Sequence, residues 1–288
     1  MDKRKYIFAG NRFNVLQEML KLELNVIKIF AVKNSWLEKE LIKKNIGYEI
    51  LPAKEEFVEQ VQRITFDFFI SNGLPYILPI SKLVENTKRK FINIHPSFLP
   101  DLRGADPQPG ALLFGRDSGA TCHYMNDQID AGAIISQTKI EYSKKFDAGL
   151  LYQLSFLAEQ DVFKEAWKKD FISIKNQGSV DRLYYSFKTK DLYFDFNDSS
   201  HDIIRRIKAF NTPNKMARFL FNSNEILIEN AQLIENEFMN YKYQNNSVNE
   251  VVVVYESSLV VKKEDGFLNL KMSDGYLENQ PSVGDVLS

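Results

Sequence analysis
The sequence predicts an α/β fold: a mostly parallel sheet with helices on both faces, followed by a smaller β-rich domain. Two observations support this. From Tyr6 to His95, short apolar runs alternate with helical periodicities, the pattern of a parallel sheet wound with helices. Beyond about residue 180, short strand patterns take over, with one helix among them. A length of 288 residues accommodates two domains, expected at residues 1–180 and 181–288.

The elements follow in order. Tyr6 to Ala9 is an apolar run closed by Gly10 and reads as a buried strand. Phe13, Leu16, Met19 and Leu20 recur at helical spacing. Val26 to Val32 is β-branched and aromatic, hence strand. Ser35 can cap a helix that runs to Lys44 and stops at Asn45-Ile46-Gly47. Tyr48 to Leu51 is a strand ended by Pro52, and Glu55 to Ile64 an amphipathic helix. Phe66 to Ser71 is a strand before the breakers Asn72, Gly73 and Pro75. Phe91 to His95 is the next strand. Residues 96–119 hold four prolines and four glycines and read as a long loop with one helical turn around Leu112. Ala120 to Met125 and Ala133 to Ile140 read as strands. Asp147 can cap a long helix through Leu151, Leu154, Leu157, Phe163 and Trp167. In the second domain, Asp202 to Phe210 reads as helix. Glu250 to Tyr255 and Leu259 to Met272 read as hairpin strands with a turn at Asp265-Gly266.

Composition narrows the class. Hydrophobic residues at 44% and charged residues at 26% exclude bulk disorder. Apolar runs such as Val251 to Val254 are too short to span a bilayer, and Tyr6 to Gly10 is too short for the core of a secretion signal. A single cysteine, Cys122, excludes an intramolecular disulfide and a Cys-rich zinc site. The expected place is the cytoplasm. Net charge is −1, but from Asp191 onward nine Lys and Arg face fifteen Asp and Glu. An acidic final third is a poor surface for a polyanion such as tRNA, so neither nucleic acid nor membrane is an expected partner.

The chemistry concentrates in two stretches. In Phe91 to Pro107, Asn93 and His95 are two apart on a strand, so they share a face. They stand at its C-terminal end, where parallel sheets place ligands. Two polar residues there need partners, since each buried unpaired costs about 1–3 kcal/mol. Ser97, Arg103 and Asp106 follow closely. In Gly119 to Ile134, a strand leads into a loop holding Asn126, Asp127 and Asp130, then Gly132. A carboxylate beside a histidine-bearing strand can orient the imidazole and raise its basicity; a solvated turn is the alternative for this stretch alone. His95, His123, Cys122 and Asp130 are metal-ligating types, but no local pair such as H-x-x-x-H or C-x-x-C is present, and no metal is expected. Gly10-Asn-Arg-Phe-Asn has one glycine and is no dinucleotide fingerprint.

Together the stretches resemble the formyltransferase family that uses 10-formyltetrahydrofolate. The shared pattern is Asn93, His95, Ser97, Leu99-Pro100, Arg103-Gly104, Pro107, Gly119 with Thr121, and Asp130 with Gly132. Phe8-Ala9-Gly10 and Ser71 to Pro79 look like the family too, and Phe98 stands where Leu is usual. The resemblance implies a Rossmann-like N-terminal catalytic domain with a small β-rich extension. Among the branches, Ser71 to Pro79 and Ile94 to Pro107 look most like the sugar N-formyltransferases. The implied acceptor is a dTDP-linked 3- or 4-amino-dideoxyhexose used for O-antigen or another surface glycan. A methionyl-tRNA formyltransferase, a formyltetrahydrofolate hydrolase and a non-catalytic binding module are the alternatives.

The resemblance also implies roles. Asn93 would donate to the developing oxyanion, and His95 would be the general base. Asp130 would either stabilise the protonated imidazole or position a relaying water. Gly73, Tyr76, Ile77, Leu78, Asn126 and Asp127 match the folate slot. Arg12, Arg103 and Ser97 are the candidates for the sugar nucleotide, the arginines for its pyrophosphate. A homodimer is the expected assembly.

Overall fold
The computed structural model describes residues 2–178, 183–273 and 280–288. The expected domain boundary at 180/181 lies outside the described residues. The chain divides into two compact units, one of residues 1–107, 117–141 and 153–185, the other of residues 108–116, 142–152 and 186–288. In order it runs β1 (Lys5–Gly10), α1 (Asn14–Lys21), β2 (Asn25–Ala31), α2 (Trp36–Lys43), β3 (Glu49–Ile50), α3 (Lys54–Arg63) and β4 (Phe68–Asn72). Then come α4 (Ile80–Val84), β5 (Lys90–His95), α5 (Pro107–Phe114), β6 (Ser118–Tyr124), β7 (Ile134–Ile140) and α6 (Ala148–Lys168).

Seven strands form one sheet in the order β3-β2-β1-β4-β5-β6-β7. The first five are parallel, and β6 and β7 are antiparallel. The two-residue period of a strand gives this sheet a core on each face. Tyr6 and Phe8 pack with Leu16 and Met19 of α1, Leu37 and Leu41 of α2, and Val162 and Phe163 of α6. Their neighbours Ile7 and Ala9 pack with Phe57 and Val61 of α3 and Ile80 and Leu83 of α4. Each large side chain buried this way stabilises the fold by about 1.5–3 kcal/mol. The helix starts follow local capping: Ser35 Oγ accepts from Glu38 N at 3.2 Å, and Asp147 Oδ1 accepts from Leu150 N at 2.8 Å.

Two stretches of this part differ from their sequence reading: the five-residue α4 was not foreseen, being too short for a periodicity, and the stretch after β5 is more helical than expected. Residues 96–106 form the expected loop, but α5 is an eight-residue helix where one turn was foreseen. Pro107 opens it and Pro109 falls in its first turn, where backbone N–H groups have no intrahelical partner and proline is tolerated.

The second unit continues with α7 (Ser200–Ala209), β8 (Asn211–Thr212), β9 (Lys215–Met216), β10 (Arg218–Phe221), β11 (Asn224–Ile234), α8 (Glu237–Lys242), β12 (Val251–Tyr255), β13 (Ser258–Lys263) and β14 (Gly266–Met272). Five strands make an antiparallel sheet in the order β10-β11-β14-β13-β12, and β8 pairs with β9. The hairpin of β13 and β14 closes through Glu264 and Asp265, with Lys263 opposite Gly266, one residue before the turn expected at Asp265-Gly266. The six-residue α8, capped by Asn236 Oδ1 on Met239 N at 3.1 Å, was not foreseen, being too short for a periodicity. Among the described residues no helix is long and apolar enough to cross a membrane.

The strand order reverses between β1 and β4, which opens a crevice at their carboxyl ends. Backbone approach there is close: a Cβ on Gly10 would lie 2.0 Å from the Asn72 carbonyl oxygen. Gly10→Ala is therefore expected to part the ends of β1 and β4 and to destabilise the protein by about 3 kcal/mol. A urea midpoint equal to that of the wild type would contradict this.

Candidate active site
A cavity of about 440 Å³ opens at the carboxyl ends of β1, β4 and β5. Asn93, His95, His123 and Asp130 form its polar end, and Tyr76, Ile77, Leu78, Met125 and Ile129 an apolar wall. The sheet sets this arrangement. Ser71 pairs with Asn93 across β4 and β5, and the antiparallel step to β6 sets Asn93 opposite His123 and His95 opposite Thr121. Alternation then turns Cys122 to the other face, into the apolar core, where burial pushes its thiol up. Cys122 therefore cannot join the two histidines around one ion. Among the described residues no group of three His, Cys, Asp or Glu is placed to hold a metal.

Asp130 stands at the centre of the polar end. Its Oδ1 accepts from Asn93 Nδ2 at 3.2 Å and its Oδ2 from the Gly104 N–H at 3.1 Å. His95 Nδ1 lies 3.5 Å from Oδ2, and His123 Nε2 lies 3.6 Å from Oδ1. The Asp130 backbone is left-handed at φ 48°, which aspartate tolerates better than most residues. Gly132 follows because β6 passes too near for a side chain: a Cβ there would lie 1.8 Å from the Tyr124 carbonyl oxygen. Gln177 Nε2 donates to the Asp130 and Gly132 carbonyls at 2.9 and 2.8 Å. Thr121 explains the Gly-x-Thr pattern. Its hydroxyl donates to the Ser97 carbonyl at 2.7 Å and accepts from Leu99 N at 3.1 Å, tying the loop after β5 to β6.

The protonation states follow from these partners. His95 Nε2 donates to the Leu102 carbonyl at 3.0 Å, so in the neutral ring Nδ1 carries the lone pair that faces Asp130. Burial depresses the His95 pKa below the ordinary histidine value, partly offset by the Asp130 carboxylate. Burial by itself would raise the Asp130 pKa. At the acid pH where the carboxyl titrates, attraction to the protonated imidazole of His95, hydrogen bonding to that of His123 and the Gly104 N–H together outweigh it and hold the carboxyl well below the usual range. At neutral pH the pair is thus a neutral base beside an ionised carboxylate.

Of the residues expected from sequence, the structure brings together Asn93, His95, Asp130, Gly73, Tyr76, Ile77, Leu78, Asn126 and Arg12 around this one cavity. Tyr76 is anchored by its hydroxyl, which donates to the Pro52 carbonyl at 2.8 Å. Arg12 precedes α1, and its guanidinium pairs with the fully buried carboxylate of Glu159. Three expected residues stand elsewhere. Ser97 is fully buried, its hydroxyl donating to the Asp101 carbonyl at 2.9 Å. Arg103 Nη2 donates to Gln177 Oε1 at 2.8 Å and so braces the Asp130 loop from behind. Asp127 accepts from Ser81 N at 3.0 Å, at the start of α4, beside an adjoining hollow that holds Lys54 and Lys82 and shares Ile77 and Leu78 with the cavity. The cavity residues missed as site members include His123, Asn11, Met125 and Tyr184. The usable signal for His123 was its place one step from Cys122 on a strand, which turns it away from the core.

The offset between burial and Asp130 has a measurable sign. Removing the carboxylate charge in Asp130→Asn takes away the main influence that raises the His95 pKa. An NMR titration of the imidazoles is expected to show His95 titrating below a free histidine in the wild type, and lower still in the variant. An upward move would refute the electrostatic coupling.

Comparison with known proteins agrees with this geometry. The formyl transferase domain matches residues 32–166, and the formyl transferase C-terminal domain matches residues 187–274. A methionyl-tRNA formyltransferase of Mycoplasma capricolum is 25% identical over 290 residues, covering 93% of this chain and 89% of that one. Among solved structures, the sugar 3N-formyl transferase WlaRD, crystallised with dTDP and 5-N-formyl-THF, matches with a TM-score of 0.70 at 23% identity, covering 95% of this chain and 99% of that one. The N-formyltransferase from Helicobacter canadensis, in complex with folinic acid and dTDP-3-aminofucose, matches with a TM-score of 0.70 at 20% identity, covering 94% and 99%. These two share the fold. With both of the family's domains matched in order along its length, the chain belongs to the formyl transferase family.

Proposed function
We propose that the protein transfers the formyl group of 10-formyltetrahydrofolate to the amino group of a dTDP-linked 3- or 4-amino-dideoxyhexose, in surface-glycan biosynthesis. The observation that carries this reading is a neutral imidazole set against an ionised carboxylate, with an amide donor beside them, at the polar end of an otherwise apolar cavity. The folate fits such a cavity: Ile77, Leu78, Met125 and Ile129 offer an apolar wall, and Asn11 Oδ1 is a buried acceptor with no partner. When bound, the folate supplies an electrophilic formyl carbon.

The chain's own groups do the rest. His95 Nδ1 takes the proton that the acceptor amine gives up as its nitrogen bonds to the formyl carbon, and returns it to the folate N10 as the C–N10 bond breaks, a contribution of about 10²–10⁴ in rate. Asp130 then faces an imidazolium across 3.5 Å and stabilises it. The Asn93 amide donates to the formyl oxygen as negative charge builds there, worth about 10²–10³. Arg12 is the candidate for the pyrophosphate. Glu159 holds its guanidinium, which also lies 5.8 Å from the centre of the Phe156 ring, so it would act as an oriented donor more than as a free charge.

The sugar branch rests on the Ser71 to Pro79 and Ile94 to Pro107 segments and on the acid excess beyond Asp191. The fold shared with two enzymes crystallised with dTDP or a dTDP-amino sugar supports it further. The methionyl-tRNA reading has a specific observation too, the name of the M. capricolum relative. One assay separates them: turnover of 10-formyltetrahydrofolate against dTDP-3-amino and dTDP-4-amino sugars, initiator methionyl-tRNA, and no acceptor. Turnover is expected with a dTDP-amino sugar alone, and EDTA is expected to leave it unchanged. Formylation of the tRNA would restore that branch, and turnover without an amine would make the protein a hydrolase. In the productive assay His95→Asn is expected to lower kcat by about 10²-fold or more.

A further inference from the structure
The roles above use one of two buried imidazoles, and the second has a geometry of its own. His123 is 2% exposed and is the register partner of Asn93 across β5 and β6. Its Nδ1 lies 2.8 Å from the Tyr124 carbonyl oxygen, which can only accept, so Nδ1 bears hydrogen. In the neutral ring Nε2 is then a lone pair, and it faces Asn93 Nδ2 at 3.3 Å. The same Nδ2 donates to Asp130 Oδ1 at 3.2 Å. A primary amide has two hydrogens, and here each has its own acceptor. If the amide were turned over, its oxygen would face both a lone pair and a carboxylate. The two acceptors together therefore fix which end of the amide enters the site.

We propose that His123 is a positioning residue, whose neutral Nε2 holds the Asn93 amide with its nitrogen toward the reaction centre. This rests on the reading of Asn93 as donor to the formyl oxygen. The hydrogen shared with Asp130 is charge-assisted and stays. The neutral imidazole is the weaker acceptor and holds the second hydrogen until a developing oxyanion takes it over, with the amide already correctly turned. Such preorganisation acts on the chemical step and leaves substrate affinity largely alone.

Two measurements test this. The chain has three histidines, His95, His123 and His201, so a ¹⁵N spectrum of the wild-type imidazoles is assignable. At about pH 8, where a free imidazole is neutral, His123 is expected as the Nδ1–H tautomer and His95 as the Nε2–H tautomer. An Nε2–H tautomer at His123 overturns the proposal without any variant having to fold. The second measurement is a double-mutant cycle with Asn93→Ala. His123→Met keeps bulk and removes the acceptor, and is expected to lower kcat about tenfold with little change in KM. His123→Gln restores an acceptor and is expected to recover most of that loss. In the Asn93→Ala background, His123→Met is expected to have no further effect. Additive losses, or a fall confined to KM, overturn the role of His123 while leaving Asn93 and His95 in place. If Asn93→Ala itself is silent, the reading of the site falls and this proposal with it.

Discussion
Asp130 is a negative charge taken out of water, and most of the local architecture serves to hold it. A buried carboxylate is costly unless its oxygens meet donors. Here one oxygen meets the Asn93 amide and the other the Gly104 N–H, with an imidazole facing each. The loop that presents it is fixed from behind by Gln177 on its carbonyls and by Arg103 on Gln177. Arg103 thus acts on the Asp130 loop through Gln177, and it is not itself among the residues that line the cavity. The arginine of the family pattern is explained by where the carboxylate must stand.

The sheet supplies what the carboxylate faces. Parallel strands β1, β4 and β5 end together, which clusters Gly10, Asn72 and His95 at one edge. The reversal of direction at β6 then brings a different residue, His123, against Asn93. A parallel neighbour in that place would have paired β5 in another register. Thr121 completes the geometry by gripping the Ser97 carbonyl and the Leu99 N–H. The loop after β5 therefore folds back, and the left-handed Leu102 brings its carbonyl to His95 Nε2. That contact determines which nitrogen of His95 is the base.

The proposed reaction uses this arrangement economically. A base must be unprotonated to act, and burial keeps His95 so. The same burial would penalise the imidazolium that forms, and Asp130 offsets that penalty because the carboxyl stays ionised. Arg12 illustrates the opposite compromise, since a buried counterion orients its guanidinium while neutralising much of its charge.

The sequence by itself determined the alternation of strands and helices, the change to strand patterns in the last third, and the pairing of Asn93 with His95 on one strand face. These depend on short-range periodicity and on residue types a few positions apart. Asp130 and Gly132 were legible through their resemblance to a family pattern, not through any local rule. α5 was read as a single turn because two prolines in a first helical turn look like a loop. Ser97, Arg103 and Asp127 were grouped with the binding residues because a hydroxyl or a charge near a motif shows its type but not its direction. Their partners Asp101, Gln177 and Ser81 turn them away. His123 shows the converse. Its importance lies in a contact with Asn93, thirty residues earlier in the chain, and in a carbonyl that sets its tautomer. Only the antiparallel register of β5 and β6 decides that contact, because strand pairing is settled by the packing of the whole sheet and not by the residues of either strand alone.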